Sequence, residues 1–302
     1  MSGPKVALAG ATGNIGAPIL KGLLAANLPV LVLTRKGSKS SSKLPKADNL
    51  NVAEVDYSSV SDLTAALKGV EVVVSAFASE ALGEQNPLID ASVAAGVKRY
   101  IPSEYGSNTV NPKVVQLPVS GYKVATQKYL EQAAAKNPSF TYSILLTGPF
   151  LDWGLAVGFL LSPAKHSATI YNGGDVPFSA SLLDDIAKGV VGIIHHQAET
   201  ANRPVFIHSA IITQNQVVAY AKEYDGKDWQ LTQASTEQIR LDGLKKLQDG
   251  NVDDIGSVML GFLSSAIWGE GYGQAFTSLD NDLFGIKTLS EEQVRKLVQS
   301  LL

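Results

Sequence analysis

The N-terminal stretch Val6-Ala-Leu-Ala-Gly10-Ala-Thr-Gly13-Asn-Ile-Gly16 decides the fold. Four apolar residues of a predicted strand are followed by three glycines with the spacing GxxGxxG, and then by a helical pattern. In such a turn one glycine makes the sharp bend, one lets the backbone approach a pyrophosphate and one packs the helix against the strand. The free backbone N–H groups and the positive end of the helix dipole then favour binding of the phosphates at the start of the helix. The stretch therefore predicts a dinucleotide-binding turn, with simple packing of small residues as the alternative.

The first half of the chain alternates short apolar segments with helical patterns. The predicted strands are Lys5–Ala9, Val30–Leu33, Val52–Val55, Val72–Ser75, Tyr100–Ile101 and Tyr142–Leu145. The predicted helices are Ile15–Ala26, Val60–Leu67, Asn86–Ala95 and Gly121–Ala135. This alternation predicts a parallel sheet with right-handed crossovers, and strands rich in Val, Ile and Leu are typical of a sheet covered on both faces.

The pattern changes after Thr147-Gly-Pro-Phe150. The segments predicted there are one strand, Pro204–Ile207, and the helices Leu182–His196, Gln214–Tyr224, Thr236–Leu247, Val252–Trp268 and Glu291–Leu301. We therefore predict an α/β fold in which a Rossmann domain with a doubly wound parallel sheet covers residues 1–153. A smaller, mainly helical part covers residues 154–302, and some of its segments are expected to return and pack on the first domain.

The composition narrows the classes of partner and site. A net charge of -3 and a pI near 5.8 argue against general binding to nucleic acid or anionic membranes. The chain has no cysteine, which excludes disulfides and thiolate sites, and none of its four histidines has a metal-site spacing, so no metal is predicted. No apolar stretch approaches about 18 residues, and the N-terminus lacks a signal-peptide pattern, so we expect a soluble, cytoplasmic protein.

The second predicted strand ends in Thr34-Arg35-Lys36. Sites that prefer NAD carry an acidic residue at this position, whereas a guanidinium can bind a 2′-phosphate bidentately. Arg35, assisted by Lys36, therefore predicts NADP(H) as the cofactor. A solvated basic loop over Lys36–Lys46 is the alternative. Asp56, at the end of the third strand, is a candidate for the adenine side of the pocket or, equally, a loop cap.

Four motifs in this order carry a family resemblance. They are the GATGNIG turn, the Arg35 position, Pro102-Ser-Glu-Tyr-Gly106 and Gly148-Pro-Phe-Leu151. Together they make the chain resemble the NmrA-like, isoflavone-reductase-like atypical short-chain dehydrogenases over nearly its whole length. The resemblance implies extended NADP(H) and a C-terminal part that binds the substrate. Reductase members transfer hydride to phenylpropanoid or related aromatic substrates, and other members are regulators that bind the dinucleotide without turning it over.

The resemblance also assigns a candidate catalytic residue. Lys123 matches the family lysine near the nicotinamide ribose, which is the proposed acid/base group, and a desolvated lysine there can exchange protons near neutrality. A solvated helix lysine is the alternative. The Tyr-x-x-x-Lys pair of ordinary short-chain dehydrogenases is absent, because Val119 stands four residues before Lys123. Tyr122 is expected to point about 100° away around the helix.

The remaining site residues, Ser75 to Phe77 and Gly148 to Phe150, come from the same resemblance. The residues predicted to bind the cofactor are Gly10, Thr12, Gly13, Asn14, Ile15, Gly16, Arg35, Lys36, Asp56, Ser75, Ala76, Phe77, Lys123, Gly148, Pro149 and Phe150. Ser75 to Phe77 are expected to line the path from adenosine to nicotinamide, and Gly148 to Phe150 to close over the nicotinamide. Phe77 and Phe150 fit a plain core or lid role equally well. Ser103 and Glu104 follow the fifth strand on the ligand side, as site or capping residues.

The function predicted from these features is an NADPH-dependent oxidoreductase. Its substrate is expected to be a small carbonyl, enone or aromatic secondary-metabolite-type compound, with Lys123 supplying the proton. Two alternatives remain at this point: a non-catalytic NADP(H)-sensing regulator, and a cofactor-binding enzyme of non-redox function. The sequence leaves the substrate, the direction of the reaction and the oligomeric state open.

Overall fold

The computed structural model describes residues 3–250 and 253–302. Val252, where a helix was predicted to begin, lies outside these described residues. A seven-stranded parallel sheet has the order β3-β2-β1-β4-β5-β6-β9. Its strands are β1 (Val6–Ala9), β2 (Val30–Arg35), β3 (Leu50–Val55), β4 (Val72–Ser75), β5 (Arg99–Ile101), β6 (Thr141–Leu146) and β9 (Arg203–Phe206). The predicted α/β Rossmann fold is therefore confirmed.

Helices cover both faces of this sheet. One face packs against α1 (Gly16–Ala25) and α7 (Leu183–His195), and the other packs against α2 (Val60–Ala66), α3 (Asn86–Ala94) and α5 (Gly121–Lys136). The four residues of β1 and of β4 are all buried, as expected for central strands between two helical layers. Burial of both faces explains why these strands are continuous apolar segments and do not alternate with polar residues.

The second half of the chain forms a further apolar core and two small sheets. Its other strands are β7 (Ser167–Tyr171), β8 (Phe178–Ala180), β10 (Ala210–Ile212) and β11 (Gln230–Ala234), and its other helices are α6 (Leu151–Ala156), α8 (Gln214–Asp225), α9 (Thr236–Gln248), α10 (Ile255–Trp268) and α11 (Glu291–Ser300). β8 pairs with β10, and β7 pairs with β11. Trp268 lies in this core, stacked on Tyr171 at a centroid distance of 4.7 Å.

Several short elements differ from the sequence expectations. The four strands of the small sheets were not predicted, and neither were α6 and the single turn α4 (Pro112–Val115). The basic loop after β2 contains a 3-10 helix over Lys39–Lys43, capped by the hydroxyl of Ser38. In the described part of the chain, no helix combines the length and the hydropathy needed to cross a membrane.

Candidate functional site

The glycine turn joins β1 to α1 at the carboxyl edge of the sheet. Gly10 has φ +81°, and a Cβ atom on it would lie 2.2 Å from the carbonyl oxygen of Ala76. A Cβ on Gly16 would lie 2.0 Å from the Gly10 carbonyl oxygen. No side chain fits at either position, because real Cβ contacts do not come this close. The turn therefore holds three backbone segments together and leaves a surface made of main chain.

The same turn presents backbone donors. The N–H of Gly13 donates to the Gly10 carbonyl at 3.1 Å, and the helix ladder begins with the N–H of Ala17. The N–H groups of Thr12, Asn14 and Ile15 have no acceptor among the described residues. Unpaired N–H groups at a helix N-terminus form a site for an anion such as a phosphate. Of the predicted residues here, Thr12, Gly13 and Asn14 are exposed, whereas Ile15 and Gly16 are buried.

The two cations after β2 differ in their surroundings. Arg35 is exposed and forms no ion pair within the described ranges. Lys36 pairs with Asp62 at 2.9 Å, and this hydrogen bond raises the pKa of its ammonium group. The guanidinium of Arg35 is thus available to an added phosphate, whereas Lys36 is already engaged.

Asp56 forms a turn at the start of α2. Its carboxylate accepts hydrogen bonds from the hydroxyl and the N–H of Ser58, at 2.7 and 2.9 Å, and these bonds hold its pKa below the usual range. The N–H of Asp56 donates to Asp62 at 2.7 Å. The geometry accounts for Asp56 as a loop cap, and its predicted contact with adenine stays a prediction.

The residues after β4 meet those after β5. The hydroxyls of Ser75 and Ser103 lie 2.8 Å apart, and the N–H of Phe77 donates to the Ser103 hydroxyl at 2.7 Å. Ala76 is buried, and the ring of Phe77 packs edge-on against Tyr57. Of the three predicted residues in this segment, Phe77 alone has a partly exposed side chain. Ser103 therefore connects the two loops that border the glycine turn.

Lys123 lies in the first turn of α5 and points toward the loop after β5. Its Nζ donates to the backbone carbonyl of Glu104 at 2.5 Å, and it lies 3.5 Å from the position of a Cβ on Gly106. Burial lowers the pKa of Lys123, and the Glu104 carboxylate opposes this effect. Tyr122 is 64% exposed and contacts Gly83 on another side of the helix. The two neighbours therefore face in different directions, as the helical geometry predicts.

The loop that holds Lys123 has an unusual backbone. Tyr105 has φ +37°, a left-handed conformation that costs a residue with a side chain about 1–2 kcal/mol. Strain of this kind concentrates at functional loops. The carbonyl of Gly106 accepts hydrogen bonds from Thr147 and Gly148, so the loop after β5 is fixed to the loop after β6.

The segment Gly148 to Phe150 lies beside β8. Gly148 has φ +64°, and a Cβ atom there would lie 1.9 Å from the Ser179 carbonyl oxygen. Pro149 and Phe150 are partly exposed, and Phe150 stacks edge-on with Trp153 at 6.1 Å. The segment reaches the edge where Lys123 lies, through the bonds to Gly106. Its predicted closure over a nicotinamide stays a prediction.

A buried polar cluster beneath Lys123 was only partly foreseen. Glu104 was a candidate, but its partners Thr109 and Gln127 were not. Gln127 lies 23 residues after Glu104 in the sequence, and its residue type does not distinguish it from other polar helix residues. The one sequence signal is its position one turn after Lys123, on the same face of the helix.

A separate cleft lies away from these residues. It has a volume of about 700 Å³, and none of the predicted cofactor residues lines it. Its lining residues are Lys113, Gln116, Leu117, Pro118, Asn172, Thr236, Glu237, Arg240, Leu244, Gly269, Glu270 and Tyr272. Among the side chains of residues 3–250 and 253–302, no group of three or more His, Asp or Glu forms a possible metal site. The predicted cofactor residues lie instead at the ends of strands of the large sheet or in the segments that follow them, outside this cleft.

Known proteins are similar to this chain in architecture and, to a lesser degree, in sequence. Residues 3–259 match the model of the NmrA-like family. The oxidoreductase poxI of Penicillium oxalicum is 30% identical, with 98% of this chain and 94% of its own length aligned. The oxidoreductase aprR of Aspergillus flavus is also 30% identical, over 99% of this chain and 98% of its own. A solved structure described as AtPrR2 with NADP+ and (+)pinoresinol has a TM-score of 0.80 at 21% identity and covers 100% of both chains.

Proposed function

Because the chain belongs to the NmrA-like family, as the four motifs predicted, we propose that it is an NADPH-dependent oxidoreductase. Two relatives at 30% identity are named oxidoreductases, and a structural neighbour of the same fold is described with NADP+. These names agree with the activity class predicted from the residues. The two alternatives, a dinucleotide sensor and a non-redox enzyme, become outcomes of the test below.

One observation carries the proposal. Lys123 lies against Glu104 to Gly106, which follow β5, at the edge of the sheet where Gly10 follows β1. Carboxyl ends of parallel strands lie at one edge, so the lysine and the glycine turn lie along the same edge of the sheet. This is the arrangement that an extended dinucleotide needs if its reactive end is to meet a proton donor.

The residues of the turn fit NADP(H). The unpaired N–H groups of Thr12, Asn14 and Ile15 suit the pyrophosphate, and Gly10 and Gly16 leave the space that its approach requires. Arg35 suits a 2′-phosphate, because a free guanidinium forms bidentate, charge-assisted hydrogen bonds. The other predicted cofactor residues belong to this proposal as well.

When held by the glycine turn and Arg35, NADPH would supply a hydride to the acceptor carbon. Lys123 donates the accompanying proton from Nζ to the oxygen that gains negative charge, and solvent then restores that proton. Burial lowers the pKa of Lys123 and therefore makes its ammonium group a stronger acid. Tyr122 has no part in this step, because its ring lies against Gly83, on another side of the helix from Lys123.

We assign the substrate to small carbonyl, enone or activated aromatic compounds of the secondary-metabolite type. The rings of Phe77, Phe150 and Trp153, in the segments that follow β4 and β6, are partly exposed and offer flat apolar surfaces to such a substrate. A neighbouring structure is described with pinoresinol, an aromatic ligand. A cytoplasmic location is proposed from the sequence features alone.

A panel assay tests this function. The purified chain is incubated with NADPH and with aromatic ketones, enones, quinones and benzylic ethers, and loss of absorbance at about 340 nm reports turnover. We expect oxidation with at least one class and little turnover with NADH. Tight NADPH binding without oxidation by any class would favour the sensor, and product formation without NADPH consumption would favour the non-redox enzyme.

A further inference from the structure

The side chain of Glu104 is buried and hydrogen-bonded at both oxygens. Oε1 accepts from the amide of Gln127 at 2.8 Å, and Oε2 accepts from the hydroxyl of Thr109 at 2.8 Å. The same amide also donates to the Thr109 hydroxyl at 2.8 Å. Glu104 is 3% exposed, and its partners Thr109 and Gln127 are also buried.

This pattern of donors indicates an ionised carboxylate. The single proton of the Thr109 hydroxyl goes to Oε2 of Glu104, because that oxygen is the one acceptor within hydrogen-bond distance of it among the described residues. Both carboxyl oxygens therefore accept, and a carboxylate that accepts two hydrogen bonds is stabilised in its charged form. Burial opposes this by raising the pKa of Glu104, so the charge needs a nearby cation.

Lys123 is the cation that faces this carboxylate. Its Nζ is hydrogen-bonded to the backbone carbonyl of Glu104 rather than to its carboxylate. The carboxyl group is therefore not blocked by a direct ion pair, and the ammonium group keeps protons to donate. We propose that Glu104 is a positioning residue that keeps Lys123 protonated and fixed beside Gly106. The inference rests on the proposed function, because it assigns a task to the proton donor.

No other titratable group described near Glu104 and Lys123 changes the charge of either residue in the physiological pH range. Tyr105 is the further ionisable group that faces Glu104, and burial raises the pKa of its phenol far above the physiological range. Gln127 and Thr109 carry no charge. Within the described residues, Glu104 is the carboxylate whose charge acts on Lys123.

The test is a pH titration of Lys123 that needs neither substrate nor cofactor. The chain is labelled with ¹³C-lysine, the Cε signal of Lys123 is assigned by its loss in Lys123→Met, and its midpoint is compared in Glu104→Gln. This change removes the charge and keeps the size of the side chain. We expect the midpoint to fall by about one pH unit or more, since an opposite charge at close range has an effect of that size.

Asp90→Asn is the matched control. Asp90 accepts a hydrogen bond from Tyr129 on the same helix as Lys123, and the substitution removes a carboxylate charge in the same way. The Lys123 midpoint should be unchanged in this variant. If Glu104→Gln does not fold, Thr109→Val removes one donor to the carboxylate and should lower the midpoint by a smaller amount.

An unchanged midpoint in Glu104→Gln, or in Thr109→Val where that variant is used, would overturn the assignment. With a substrate in hand, the high-pH limb of kcat for Glu104→Gln should move to lower pH together with the titration midpoint. An enzyme that reduces nothing in the panel would contradict the proposed function, and the titration would still decide the role of Glu104.

Discussion

At the scale of single residues, Arg35 and its neighbour Lys36 differ in whether they form an ion pair. Lys36 already satisfies Asp62, whereas Arg35 is exposed and without an ion pair among the described residues. A guanidinium without an ion pair can bind a phosphate without first breaking a salt bridge. We therefore propose that Arg35 provides the preference for the cofactor that carries the 2′-phosphate.

Arg35→Asp should reverse this preference. We expect NADPH affinity to fall about 100-fold, or about 2.7 kcal/mol, because an attraction to the 2′-phosphate becomes a repulsion. NADH affinity should change by less than about threefold. Fluorescence titration with both cofactors measures this. Lys46→Asp, the same charge change in the exposed loop, serves as the control, and equal losses for NADPH and NADH would show that Arg35 does not bind the 2′-phosphate.

At the scale of elements, the turn between β1 and α1 depends on the absence of side chains. Gly10 combines a positive φ with contact to the Ala76 carbonyl, so two separate costs oppose any substitution. Gly69 also has a positive φ, +72°, but no atom lies within 4 Å of its Cβ position. Comparing substitutions at Gly10 and Gly69 therefore distinguishes the free-energy cost of a positive φ from that of a steric clash.

Gly69→Ala should destabilise the chain by about 1 kcal/mol, from backbone strain alone. Gly10→Ala should lose at least about 2 kcal/mol more, because the turn must open to relieve the contact with Ala76. Denaturant unfolding of both variants measures the difference. Equal losses would contradict the close packing described for this turn.

The sequence predicted elements whose signal is local. The strands β1 and β4 and the turn at Gly10 were predicted, because an apolar segment or a glycine spacing can be recognised within about ten consecutive residues. The small strands were missed because β8 and β10 have three residues each and β11 is largely exposed, so none has a clear period. The Glu104 cluster was missed in part because the contact with Gln127 is created by packing of α5 on the sheet, which no spacing rule records.

At the scale of the whole molecule, both halves of the chain build one sheet. β9 extends the sheet beyond β6, and α7 packs on α1 against its face. The side chain of Asp280 pairs with Arg203 at 2.6 Å and accepts the N–H of Phe206 at 3.0 Å, which fixes β9 to the C-terminal segment. Unfolding of one half should therefore disrupt the other.

This continuity predicts one cooperative unfolding transition. The three tryptophans, Trp153, Trp229 and Trp268, all follow β6 in sequence, so their fluorescence reports the second half. NADPH at about 100 times its Kd should stabilise the fluorescence-detected transition by about 2.7 kcal/mol, although its proposed binding site is the glycine turn of the first half. Circular dichroism should give the same midpoint. If NADPH does not change the midpoint of the transition detected by tryptophan fluorescence, the two halves unfold separately.

The comparison of Lys123→Ala with the unchanged chain tests the central claim most directly. On a substrate identified by the panel, transfer of deuterium from C4-deuterated NADPH is measured together with NADPH affinity. We predict that turnover falls by about 100-fold or more, as expected for loss of a general acid, while NADPH affinity stays within about threefold. Unchanged turnover in Lys123→Ala would contradict the account, because the proton would then come from another group.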